Sequence, residues 1–199
     1  MLRAEVADVL SDIGNWSGRI GIEDLTGPLE PGMWGYGNDI LSQMNEPPAQ
    51  GTAACFRMLA GREQQGWEAH TIELTTLTGT YLETGTHLLP GFPAIDELPL
   101  ESFFKQAVFL EIPKGAGEPI ISDDLEDVTQ SNPIMEKDAV IVHTGWGRNW
   151  SSPRFEREGP FFSKDAMDYL IAKGISLLAC DTPRFDSIKA PAGVVQTLF

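Results

Sequence analysis

AVIVHTGW, residues 139 to 146, is the stretch whose reading decides the fold. Ala139 to Val142 is a β-branched apolar run, which reads as a strand, and Thr144-Gly145 ends it. Further on, Ser163 stands before KDAMDYLIAK and Gly174 after it, an N-cap and a stop around one amphipathic helix. A second apolar run, Ile175 to Cys180, follows at once and ends in Asp181-Thr182-Pro183. Strand, crossover helix, strand is a βαβ unit, so the two strands are expected to be parallel and the fold class α/β. Ligands of open α/β sheets bind outside the carboxyl ends of the strands. His143, Thr144, Trp146 and Asp181 are therefore expected to face one crevice.

Outward from that unit, FKQAVFLEIP (104 to 113) and the alternating, Thr-rich EAHTIELTTLTG read as further strands, and Ile120-Ile121 followed by SDDLE predicts a short capped helix. Val6, Val9, Leu10 and Ile13 lie at helical spacing before Gly14, which predicts an amphipathic helix near the start. RIGIEDLTGPLEPGMWGYG reads as a short strand running into an irregular, Pro- and Gly-punctuated loop that carries Trp34. No internal repeat, low-complexity tract or interdomain linker stands out, so one domain over residues 1–199 is expected.

Composition narrows the function. The chain has 199 residues, of which 42% are hydrophobic and 22% charged, enough for one sizeable core. A formal net charge of −15 repels phosphate backbones and anionic lipid, which argues against nucleic acid and membrane as partners. The two cysteines, Cys55 and Cys180, imply no disulfide framework, and no secretory signal or membrane span is evident, so a cytoplasmic protein is expected.

The chemistry is concentrated in YLETGTHLLPG, residues 81 to 91, where Glu83 and His87 flank Thr84-Gly85-Thr86. A carboxylate and an imidazole are both ligands for zinc or manganese. In a straight strand, residues four apart lie about 13 Å from each other, too far to share an ion. In a bend at Gly85 they would approach within about 6 Å. Pro90-Gly91 just behind favours the bend. Two readings stand: half of a metal site, or a tight turn in which His87 serves a backbone carbonyl and Glu83 is solvated.

EDLTGPLEPGM, TGTH, VIVHTGW and LLACDTPRFD together resemble the cyclase family that includes bacterial kynurenine formamidase and isatin hydrolase. In that family the corresponding landmarks read like DLSHPLEPGMP, H-x-G-T-H-x-D-x-P-x-H, RTGW and IDTPSVD. Order and intervals match over nearly the whole chain. The resemblance implies a swivelling β/β/α fold with a mixed sheet, and a metal-dependent hydrolase that opens an amide or cyclic amide, of the arylformamidase kind found in tryptophan catabolism. It also implies a homo-oligomer and a small-molecule substrate.

Carried across residue by residue, the G-T-H of the metal motif falls on Gly85, Thr86 and His87. Glu83 stands where the family has its first histidine, Leu89 where it has aspartate, and the last histidine falls near Pro93. Leu89 cannot bind a metal. The family's later histidine falls near Val195, and its final segment is expected to be missing or replaced by another subunit. The implied site is Glu83 and His87 as metal ligands and catalytic groups, completed by a carboxylate such as Glu73 or Asp181. Asp181 is taken as catalytic or as a turn acceptor. Trp34, Trp146 and His143 are the candidate substrate contacts, with Trp150 as a further aromatic wall; the tryptophans could equally be core. The alternative functions are a noncatalytic relative binding a small aromatic ligand or a protein partner, and a metal-independent enzyme with Glu83 as general base.

Overall fold

A computed structural model describes residues 23–35 and 54–198. The expected helix around Val6 to Ile13 lies outside them, and the described part of the opening loop, from Glu23 on, contains no strand. The elements in order are β1 (Ala54–Ala60), α1 (Arg62–Gln65), β2 (Ala69–Leu74), β3 (Ala107–Glu111), β4 (Pro119–Ile120), α2 (Ser122–Thr129), β5 (Ala139–His143), α3 (Arg154–Glu158), β6 (Phe161–Phe162), α4 (Lys164–Ala172), β7 (Leu177–Cys180) and α5 (Val194–Leu198). Short 3-10 turns fill several of the connections, among them Gly85–His87 and Trp146–Asn149.

The central sheet has the order β3-β5-β7 and is parallel throughout. Val140 pairs with Val108 on one side and Leu178 on the other, so the βαβ unit read from the sequence is present with α4 as its crossover helix. Ser163 caps α4 by accepting the Ala166 N–H, and Gly174, at φ 70°, ends it in the left-handed conformation that favours glycine. The antiparallel pairing lies elsewhere, in the β1–β2 hairpin, while β4 and β6 form a third, two-stranded parallel sheet.

Alternation decides which face of the sheet is covered. Val108 and Leu110 of β3 and Val140 and Val142 of β5 are buried, and they join Leu125, Met167, Leu170 and Val194 from α2, α4 and α5 in one core. Residues between them point the other way: Phe109 is 50% exposed and stacks on His143 with ring centroids 5.6 Å apart. Burial pushes the Cys180 thiol up to about 12, in keeping with its packing against the core.

Two helix starts are tied together by one carboxylate. Asp165, in the first turn of α4, accepts the Ser122 N–H that opens α2, at 2.9 Å. That bond, with help from the Ser163 and Ser122 side chains, holds Asp165 at about 2, below the usual 3.8. A depressed folded-state value stabilises the fold above the unfolded value and ceases to do so as pH falls through the folded one. Asp165→Asn should therefore be less stable than the parent at pH 7 by urea unfolding, with the gap narrowing as pH is lowered from about 4 towards 2. A gap independent of pH would refute this account.

Candidate functional site

The chain does bend at Gly85. Gly85–His87 is a 3-10 turn in which the His87 N–H donates to Thr84 O, and the Leu88 and Leu89 N–H groups donate to Gly85 O. Glycine is required by packing: a Cβ on Gly85 would lie 2.5 Å from the Phe92 ring. The hydroxyls of Thr84 and Thr86 share a 2.8 Å hydrogen bond across the turn. As a result Glu83 Oε1 and His87 Nε2 stand 3.6 Å apart, with their side chains 26% and 42% exposed.

Two donors bound to one tetrahedral ion at about 2.1 Å lie about 3.4 Å from each other, so Glu83 and His87 fit a divalent ion in type and in spacing. A stable site takes three or four protein ligands. Among the described residues no group of three His, Cys, Asp or Glu side chains is placed to hold one. Glu73 is exposed on β2, facing Cys55 across the hairpin, and does not join the pair; nor does Asp181.

Asp181 has other partners. Its Oδ1 accepts the Thr144 N–H at 2.8 Å and the Thr144 hydroxyl at 2.6 Å, and its Oδ2 accepts the Gly147 N–H at 3.0 Å. It is the turn acceptor of the two expected roles, fastening the segment after β5 to the end of β7. His143 Nε2 lies 3.8 Å from Asp181 Oδ2, and its Nδ1 lies 4.0 Å from Glu111 Oε1. His143 and Asp181 thus meet at the carboxyl edge of the sheet as expected, whereas Thr144 and Trp146 are withdrawn into the interior.

Of the two expected roles, substrate wall or core, Trp146 takes the core one. It is 3% exposed and its indole N–H donates to Phe155 O at 3.0 Å, so neither ring face nor ring edge is open. Trp34 is half-buried in an aromatic cluster, 5.0 Å from Trp150 and 4.7 Å from Phe155 between ring centroids. Trp150 also donates its indole N–H to Pro28 O. From Gly27 a further bond, N–H to Thr80 Oγ1, reaches the segment that leads into Tyr81 and Glu83.

Three residues not singled out by sequence border this place. Glu156 of α3 is 6% exposed and holds Arg184 at 2.7 Å. Tyr81 feels the charges of both Glu83 and Arg184. Although 38% of the residue is exposed, desolvation of the phenol, followed by the Glu83 carboxylate, pushes it up to about 12 against a smaller downward pull from Arg184. The available signal was Arg184 itself, in the position where the family landmark has serine. Asp186, the second acid of that landmark, accepts the N–H groups of Ser187, Ala192, Gly193 and Val194 and so closes the loop onto α5.

The family model described as "Putative cyclase" matches residues 23–187. A solved isatin hydrolase bound to the product analogue thioisatinate superposes with a TM-score of 0.72 at 17% identity, over 96% of this chain and 81% of that one. A predicted metal-dependent hydrolase from Bacillus stearothermophilus gives 0.65 at 22%, over 88% and 76%. At such identities the likeness is one of fold. An uncharacterized protein of Haemophilus influenzae is 30% identical over 95 residues, 46% of this chain and just under two thirds, 66%, of that protein.

The turn gives a direct test. Gly85→Ala must displace the base of the Phe92 side chain or unwind the turn, at a cost of about 1–3 kcal/mol for overpacking. In a Phe92→Ala background the same change should cost less, by thermal or urea unfolding of all four forms. Equal costs in the two backgrounds would show that the ring does not dictate the glycine.

Proposed function

The chain belongs to the Cyclase family, and from that premise we propose that it is a metal-dependent hydrolase of an amide or cyclic amide, of the arylformamidase kind. The observation that carries the reading is the 3.6 Å approach of Glu83 and His87 on the turn that matches the family's G-T-H. The solved relatives of like fold supply the reaction class, since one is an isatin hydrolase and another a predicted metal-dependent hydrolase.

Glu83 and His87 would hold the ion, and an imidazole with a carboxylate suits zinc or manganese. When bound, such an ion lowers the pKa of water and polarises a carbonyl. Glu83 would also take a proton from an attacking water, and the bend at Gly85 keeps its carboxylate beside the imidazole. Asp181 serves the site by position, through the Thr144–Gly147 segment. The half-buried Trp34 and the exposed edge of His143 are the proposed substrate contacts. A homo-oligomer is proposed on the resemblance alone.

Leu89 and the lack of a third ligand among the described residues favour a second reading, a noncatalytic relative that binds a small aromatic ligand or a protein partner.

The purified protein is expected to carry a divalent metal by elemental mass spectrometry and to hydrolyse isatin or N-formylkynurenine in a chelator-sensitive way. His87→Ala should lose both the metal and the turnover. A parent without transition metal sinks the metal-dependent form, and a parent that binds isatin without turning it over supports the noncatalytic one.

A further inference from the structure

We propose that a second copy of this chain docks on the apolar face of the β1–β2 hairpin, in a two-fold dimer with Ile72 near its centre. This gives the homo-oligomer proposed above a surface, and it stands apart from the hydrolase reading.

The register of the hairpin sorts its side chains. Opposite residues of an antiparallel pair share a face, so Ala54 with Leu74, Phe56 with Ile72 and Met58 with His70 make one face, and Cys55 with Glu73 and Arg57 with Thr71 make the other. The first is apolar and the second polar. Such alternation belongs to a sheet with one side on a core and one in water. Yet Met58, Ile72 and Leu74 are 62%, 56% and 45% exposed, Phe56 is only half-buried, and no residue of the hairpin belongs to the core cluster. Among the described residues no third strand pairs with the hairpin, and two strands alone are marginally stable in water.

Charge selects the occupant. A chain of net charge −15 repels its own copy over most of its surface. The apolar face holds no Asp, Glu, Lys or Arg, and His70 is its single ionisable group. Two copies meet there without opposing like charges, and a two-fold dimer sets the same patch against itself, apolar on apolar. A basic partner would seek the acids that this face lacks.

The area suits the centre of a dimer interface. With Leu59 at the bulge before Ala60 and Trp67 just before β2, both more than half exposed, five side chains offer on the order of 500 Å² of apolar surface per copy. The largest apolar patch of a typical monomer is about 300–600 Å², and each partner of a stable interface buries about 800 Å². The hairpin thus supplies more than half of one side.

Sedimentation equilibrium of the full chain at micromolar concentrations is the test. The parent is expected to be a dimer, and Ile72→Lys to self-associate about a hundredfold more weakly, while Thr71→Lys, on the opposite face, stays dimeric and circular dichroism is unchanged in both. A monomeric parent overturns the inference together with the proposed homo-oligomer. A dimer that Ile72→Lys leaves intact, or that both lysines weaken equally, overturns the hairpin surface while the homo-oligomer stands. Should Ile72→Lys lose its fold, Ile72→Ser takes its place under the same criteria, with a weakening of about tenfold expected.

Discussion

The carboxylate of Asp181 is the joint on which the arrangement depends. Standing just past β7, it takes three hydrogen bonds from Thr144 and Gly147, across the carboxyl edge of the parallel sheet. A carboxylate that accepts several such donors at low exposure is a strong acceptor, and its loss would leave buried N–H groups unpaired. Gly147 is close as well: a Cβ there would touch the Asp181 carboxylate at 3.4 Å. The segment after β5 is therefore fixed in one path, and that path buries Trp146 and presents Trp150.

From Trp150 the restraint passes outward. Its indole N–H holds Pro28 O, its ring presses where a Cβ on Gly27 would be, and Gly27 in turn holds Thr80. A second path runs through Phe155 and Glu156 on α3 to Arg184, whose charge reaches Tyr81. The polar pair at Glu83 and His87 thus hangs from the sheet by contacts between segments far apart in sequence. This explains how a 3-10 turn outside the sheets and α-helices is held near them, while its own hydrogen bonds set the separation of the two side chains. The Trp150–Pro28 and Gly27–Thr80 bonds in this chain lie at the surface, whereas the Glu156–Arg184 bond is partly buried.

What could be read from the sequence follows the same division. β5, α4 and β7 were legible because their signals are local: a β-branched run, a serine cap, an amphipathic period, a left-handed glycine. The bend at Gly85 was legible from its small neighbours, though not the reason for the glycine, which is a ring seven residues away. Trp146 was left open between core and ligand wall because an indole suits both equally; its bond to the Phe155 carbonyl, fixed by α3, favours the core. Asp181 left two roles open for a like reason, since its partners lie 34 and 37 residues away. Tyr81 gave no pattern, and Arg184 only its departure from the family landmark, because their link is one of space and charge.

The departure at Leu89 bears on the chemistry more than any other single position. An acid and an imidazole 3.6 Å apart attract each other when the imidazole is protonated, and offer two converging lone pairs when it is not. On the proposed metal reading, proton and metal ion would compete for the same two atoms, and metal binding would expel the proton. With three or four protein ligands the ion wins that contest easily. With two it needs help from a further ligand, whether a side chain beyond the described residues, a second subunit or the substrate itself. A carbonyl or carboxylate of a bound ligand is an oxygen donor of the right kind, so occupancy of the site by metal and by substrate would rise together. On the proposed metal reading, leucine at this position would make recognition of the ligand part of assembling the chemistry.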